Sequence, residues 1–275
     1  MKKLKLSTMF LHLILIVIAI TMLLPFIWMV LTSFKSVTES TSMHPFVIFP
    51  KNWLFSNYQE VLAKNNFLIL YFNTFVLMIV RIVFSVLFSA MAAYAFARIK
   101  FPGRNFLFSL VLIQMMIPTQ VFIVPQYLMI DSINMRNTIF ALVFPGFVSA
   151  FGTFLLRQFF MGLPHSLEEA AYIEGANVGQ TFFKIMLPLA KSGLIALGIF
   201  TALFAFKDLM WPLIINSQAD KATLSSALSK IQGAYTVNYP QLMAASFLAM
   251  WPMVLIYILF QKQFIDGIAT SGGKL

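Results

Sequence analysis

Three carboxylates, Glu168, Glu169 and Glu174, share one polar stretch in a chain that has only nine acidic residues among 275. The stretch reads EEAAYIEGANVGQTFFKIMLP, runs from Glu168 to Pro188, and separates two long apolar segments. Carboxylates among small residues suit charge-assisted pairing with arginine across a close interface. Ala170, Ala171 and Glu174 fall near one face over two helical turns. The alanines let another surface approach the helix backbone, and Glu169 offers that surface a carboxylate. Ser166 and Glu169 have capping-box spacing, and Gly175 stands where a C′ glycine ends a helix. Pro188 marks entry into the next apolar segment. Taken singly, each residue has a plain local role, but their joint spacing describes a compact element presented to something.

Bond-breaking chemistry finds no support. His12, His44 and His165 are far apart and form no metal-ligand cluster, and no nucleophile–base set is visible. Cysteine is absent, which excludes disulfides and thiolate metal sites. No G-x-x-x-x-G-K-[ST] loop occurs, so the chain does not bind ATP by that mechanism. Ionisable groups inside apolar segments cost a few kcal/mol unless they pair, snorkel or face water, so each is a candidate functional group. Arg81, Lys207 and Asp208 are such groups. Arg81 either snorkels to an interface or faces a cavity. Lys207 and Asp208, consecutive on a helix, point about 100° apart and make no ideal mutual pair. Gln114 either joins helices through its carboxamide or meets a solute. Asn73, Gln120, Gln126 and Asn134 are further polar candidates.

The elements that hold these residues are apolar. The chain is 60% hydrophobic and 10% charged, against about a quarter charged in soluble domains. Its net charge of +10 lies in small groups beside apolar runs, which fits membrane topology and not nucleic acid. Hydropathy predicts an all-α protein with six spans, at 9–32, 72–97, 106–127, 138–159, 192–215 and 243–264. The first is read as a retained span, because its apolar run continues past any cleavage region. Pro118, Pro125, Pro145 and Pro212 predict kinks or early ends. With the N-terminus inside, Lys2, Lys3, Lys5, Arg98, Lys100, Arg104, Arg157, Lys184, Lys191, Lys262 and Lys274 face the cytoplasm. Lys35, Lys51, Lys64, Arg136, Lys221 and Lys230 face outward, and eleven against six predicts both termini inside. Loops 35–68 and 216–242 then lie outside. Trp53, Phe55 and Tyr58 in the first would form an aromatic belt or pack on an external partner.

Glu169-Ala170-Ala171, Gly175 and Ile185-Met186-Leu187-Pro188 resemble, in types and spacing, the EAA motif of ABC importer permeases. Pro25-Phe26-Ile27-Trp28, Ser33-Phe34-Lys35, Asn73-Thr74, Ala92–Arg98, Leu155–Phe160 and Trp211-Pro212-Leu213 resemble the carbohydrate, maltose-type branch, as does the tail Gln263–Gly267. The resemblance covers essentially the whole chain. It implies a single transmembrane permease domain, residues 1–275, with the type I ABC importer fold and a cytoplasmic coupling segment at 164–190. Its coupling residues would be Glu168, Glu169, Ala170, Ala171, Glu174, Gly175 and Pro188. It further implies a heterodimer with a second permease, two ATPase subunits carrying ATP and Mg, and an extracytoplasmic sugar-binding protein. The setting would be a bacterial cytoplasmic membrane and its lipid, with no cofactor on this chain and no nucleic acid. Loop 216–242 would meet the binding protein, and Ser271–Leu275 the ATPase. Arg81, Gln114, Lys207 and Asp208 are the candidate translocation path. Phe206-Lys207-Asp208 departs from the family's Trp-Asn-acidic pattern, so Lys207 points either to an acidic sugar or to an acidic residue of the second permease. The rival readings are an ion-coupled secondary transporter, which would show paired broken-helix halves, and an ABC permease for a non-sugar solute.

Overall fold

The computed structural model describes the backbone of residues 6–233 and 237–272, and the side chains of 8–233 and 237–262. Lys2, Lys3, Lys5, the side chains of Gln263–Gly267, and Lys274 with the end of the tail lie outside the described residues. Every described element is helical. Three helices are individually long and apolar enough to cross a membrane: Thr8–Ser33, Phe67–Arg98 and Tyr239–Lys262. Three further helix pairs are long and apolar enough only when taken together, each bent at a short break: Arg104–Met116 with Thr119–Ser132 at 100°, Ile139–Gly146 with Ala150–Met161 at 47°, and Val178–Leu189 with Lys191–Lys207 at 76°.

The breaks follow proline chemistry with two corrections. Pro118 sits at the sharpest bend, and Ile117 before it is extended at φ −86°, ψ 125°, as a residue preceding proline prefers. Pro125 makes no break. It lies in the first turn of Ile123–Ser132, where a missing N–H loses no helical bond. The fifth span stops at Lys207 and does not run to 215; a separate short helix, Met210–Ile215, holds Pro212 in its first turn. Asp208 between them is extended, at φ −62°, ψ 113°. Lys207 and Asp208 are therefore not consecutive helical residues.

The chain forms two compact units. One comprises Met1–Phe67 and Leu228–Pro252. In it the end of the first span is tied to the loop that follows. Ser33 Oγ and Tyr58 Oη share a 2.7 Å hydrogen bond, and Asn57 Nδ2 donates to the Ser33 and Lys35 carbonyls. Phe34 packs with Trp53, Phe55 and Tyr58 at 5.1 to 5.2 Å between centroids, while Trp53 and Phe55 stay 53% and 62% exposed. Lys35 is fully buried, with Nζ 3.9 Å above the Trp28 ring and 2.7 Å from the Val47 carbonyl. Burial pushes its ammonium below the usual lysine range, and Glu39 opposes that shift. Glu39 is itself held below the usual carboxylate range, mainly by the Ser36 N–H of its capping box.

The other unit, Leu68–Ala227 with Met253–Leu275, has two apolar clusters along the second span. Leu77 and Met78 pack with Ile130, Leu142, Trp211 and Ile215. Further along, Ala90, Ala93 and Tyr94 pack with Leu156, Phe160, Phe182 and Met186. Asn73 donates to the Asp220 and Ala222 carbonyls at 2.9 Å each, and Thr74 Oγ1 accepts from the Leu224 N–H. The opening of the second span thus clamps the 220–224 turn.

Candidate functional site

The polar island forms a helix over Ser166–Ile173. It has no capping box at Ser166. His165 is already helical, at φ −65°, ψ −31°, so Ser166 is inside the first turn and not the flanking residue that a box requires. The box occurs one element later, where Asn177 and Gln180 exchange reciprocal 2.9 Å bonds. The predicted stop is present. Gly175 has φ +85°, Ala176 N–H donates to the Ala171 carbonyl at 2.9 Å, and Gly175 N–H donates to Tyr172 at 3.0 Å. That pair of bonds is the Schellman arrangement.

The helix is two-faced, and its faces divide the predicted set. Glu168 and Ala171, one turn apart, are buried. Glu169, Ala170, Tyr172, Ile173 and Glu174 are exposed, Ile173 by 87%. Ala171 therefore packs inward and does not share a face with Ala170 and Glu174, and Glu168 is not free for direct contact with another chain. The reason lies at the end of the second span. Tyr94 Oη donates to Glu168 Oε1 at 2.8 Å, and Arg98 Nη1 lies 3.4 Å from Glu168 Oε2. Arg98 also meets His165 Nδ1 at 2.9 Å and donates to the Phe160 and Leu163 carbonyls. A buried carboxylate with its arginine and a phenol roots the island on the second span. The partners Tyr94 and Arg98 lie in Ala92–Arg98, which in the sequence carries the family resemblance and gives no sign of a partner for the island.

Beyond Ala176 the chain re-enters helix at Val178–Thr181, widens into a π-turn over Phe182–Met186, and continues through Leu187–Leu189. Pro188 has no N–H for the Lys184 carbonyl and its ring crowds that group. The wider turn, with Leu187 N–H donating to Phe182, accommodates it. Pro188 is thus inside the island's second helix, and the bend into the fifth span comes two residues later at Ala190.

The intramembrane charges resolve differently. Arg81 does not snorkel: it is buried, Nη1 lies 2.8 Å from Asp208 Oδ2, and Nη2 donates to the Leu142 carbonyl at 2.7 Å. Asp208 reaches it because the fifth span has already ended. Gly146 lets the arginine pass, since a Cβ there would stand 2.6 Å from Arg81 Cδ. Lys207 is exposed, without an ion-pair partner among the described residues. Gln114 is exposed, and its carboxamide links no helices among the described residues. The structure brings together Arg81 and Asp208, and leaves Gln114 and Lys207 outside that cluster. No grouping of His, Asp and Glu that could hold a metal ion occurs among the described residues.

Helices long and apolar enough to cross a membrane, three single and three more if each bent pair is one span, define a polytopic membrane protein. Residues 85–269 match the family described as "Binding-protein-dependent transport system inner membrane component", and the chain belongs to that family. It is 35% identical to the arabinooligosaccharides transport system permease protein AraQ of Halalkalibacterium halodurans, over 94% of this chain and 93% of that one. Identity to the diacetylchitobiose uptake system permease protein NgcG of Streptomyces coelicolor is 31%, over 95% and 87%. To the sn-glycerol-3-phosphate transport system permease protein UgpE of Pectobacterium atrosepticum it is 34%, over 82% and 84%. A crystal structure of a bacterial ABC transporter involved in the import of the acidic polysaccharide alginate shares the fold. Its TM-score is 0.79 at 23% identity, covering 96% of this chain and 98% of that one. The fold is that of a type I ABC importer permease, and the chain is a transport component.

Proposed function

We propose that this chain is the permease subunit of an ATP-driven carbohydrate importer in a bacterial cytoplasmic membrane, both termini inside. It would pair with a second permease, rest on two ATPase subunits that carry ATP and Mg, and receive sugar from an external binding protein. The observation that carries this reading is the two-faced island helix. Glu169, Ala170, Ile173 and Glu174 stand exposed, while Glu168 is rooted through Tyr94 and Arg98 in the second span. An ATPase gripping the exposed face would move the second span with it, because the root is a buried ion pair and not a flexible tether. Relatives named for arabinooligosaccharides and diacetylchitobiose support a carbohydrate as cargo. In proteoliposomes holding the assembled transporter, Glu169→Lys is expected to lower ATP-dependent uptake about tenfold or more, as charge reversal at an interface does. Normal uptake with normal assembly would sink the assignment.

Two observations favour a second reading, an anionic solute. A relative at 34% identity is named for sn-glycerol-3-phosphate, and Lys207 is exposed without a counter-ion among the described residues. In the same uptake assay, Lys207→Gln should impair acidic sugars and spare neutral ones. Equal effects on both would remove an anion-selecting role for Lys207.

A further inference from the structure

We propose that the cleft at the turn between the second and third spans binds the phosphate of an anionic lipid headgroup. The cleft has a volume of about 330 Å³ and is lined by Lys100, Phe101, Gly103, Arg104, Asn105 and Phe106. Two cations line it and no carboxylate does. Neither cation has an ion-pair partner among the described residues, and Arg104 Nη1 makes only a long 3.4 Å bond to the Ile99 carbonyl. Arg157 adds a third nearby cation, with no ion-pair partner among the described residues. Its guanidinium lies 4.1 Å from the Phe108 ring centroid, and Nε donates to the Phe96 carbonyl at 3.3 Å. The Phe96 ring joins the two groups, 6.0 Å from that of Phe101 and 5.5 Å from that of Phe108.

The backbone adds to the same potential. Gly103 caps the helix Arg104–Met116 at φ +76° and has no side-chain oxygen to offer, and the first turn contains no acid. The Asn105 and Phe106 N–H groups consequently have no backbone acceptor among the described residues. Cations near a membrane surface each attract anionic lipid by about 1 kcal/mol, and basic pockets between spans hold phosphate headgroups.

Lipid, and not free phosphate, is favoured by what frames the cleft. Phe106 is 68% exposed, and Ile99 and Leu107 are exposed beside it. Water-borne phosphate would leave that rim uncovered, whereas acyl chains attached to the phosphate cover it. The position fits as well, because the turn joins two spans and so lies at the membrane boundary.

The test titrates fluorescent phosphatidylglycerol into the assembled, detergent-solubilised transporter, with phosphatidylcholine and inorganic phosphate as parallel arms. Saturable binding of phosphatidylglycerol, not displaced by the other two, is expected. Lys100→Gln alone, at an exposed position, should weaken it about fivefold, and Lys100→Gln with Arg104→Gln roughly thirtyfold. The charge-keeping pair Lys100→Arg with Arg104→Lys should retain it. Unchanged affinity in both Gln variants overturns the proposal, as does phosphate competing as well as the lipid. Loss of the ATPase subunits from the complex, with lipid affinity unchanged, would assign these cations to a protein partner and equally overturn it.

Discussion

Asp208 neutralises a guanidinium that lies among Leu142, Gly146 and the second span, with side-chain exposures of 9% for Arg81 and 22% for Asp208. Removing one member of a buried pair strands the other charge, at about 3–5 kcal/mol, whereas replacing both by apolar residues of similar volume is often neutral. Asp208→Ala is therefore expected to lower thermal stability of the solubilised transporter markedly. The double variant Arg81→Met with Asp208→Leu should recover most of that loss. A double variant no better than the sum of its single changes would show that the two groups do not act as a pair. The sequence made the presence of these charges legible, but it placed Lys207 and Asp208 together on one helix, whereas the helix ends at Lys207. It did not reveal the partner, because Arg81 and Asp208 are 127 positions apart and only the early end of the fifth span brings them together. Glu168 and Glu169 show the same limit. Both are acids in the first turn, and only the location of Tyr94 and Arg98 decides which one turns inward.

The island's boundaries separate what local sequence determines from what packing determines. Gly175 was readable because φ +85° is a demand of the backbone alone. A Cβ at that position would meet nothing within 4 Å, so the cost of replacing it is conformational and not steric. A left-handed conformation costs an ordinary L-residue about 1–2 kcal/mol and asparagine less. Stability measured by thermal unfolding should accordingly fall in the order Gly175, Gly175→Asn, Gly175→Val. Equal values for all three would mean that the helix stop bears no weight in the assembled fold. The capping box was misplaced by a single feature, helical backbone at His165, which sequence spacing does not encode. The π-turn at Phe182–Met186 had a visible cause in Pro188, but whether a helix kinks, ends or widens before proline depends on its neighbours. Here Phe182 and Met186 are both held in the cluster around Tyr94 and Phe160, which favours widening over ending.

For the molecule as a whole, hydropathy located six apolar segments, a number that three single helices and three bent pairs reach when each pair is one span. The bends themselves, from 47° to 100°, exceed what a window of apolar residues conveys. Orientation rests on the excess of lysine and arginine in the segments assigned to the cytoplasm, eleven against six, and the cost of moving such charges across the bilayer makes that bias directional. The chain contains no cysteine, so single thiols can report sidedness without removing native ones. Met43, 79% exposed in the 35–68 loop, and Ile173, 87% exposed on the island, are suited to the purpose. A membrane-impermeant maleimide should label Met43→Cys from the outer face of sealed membranes. It should reach Ile173→Cys only in inverted vesicles or after permeabilisation. The reverse pattern would place the island outside, where no ATP-driven partner could grip it, and the proposed coupling role would fall with the topology.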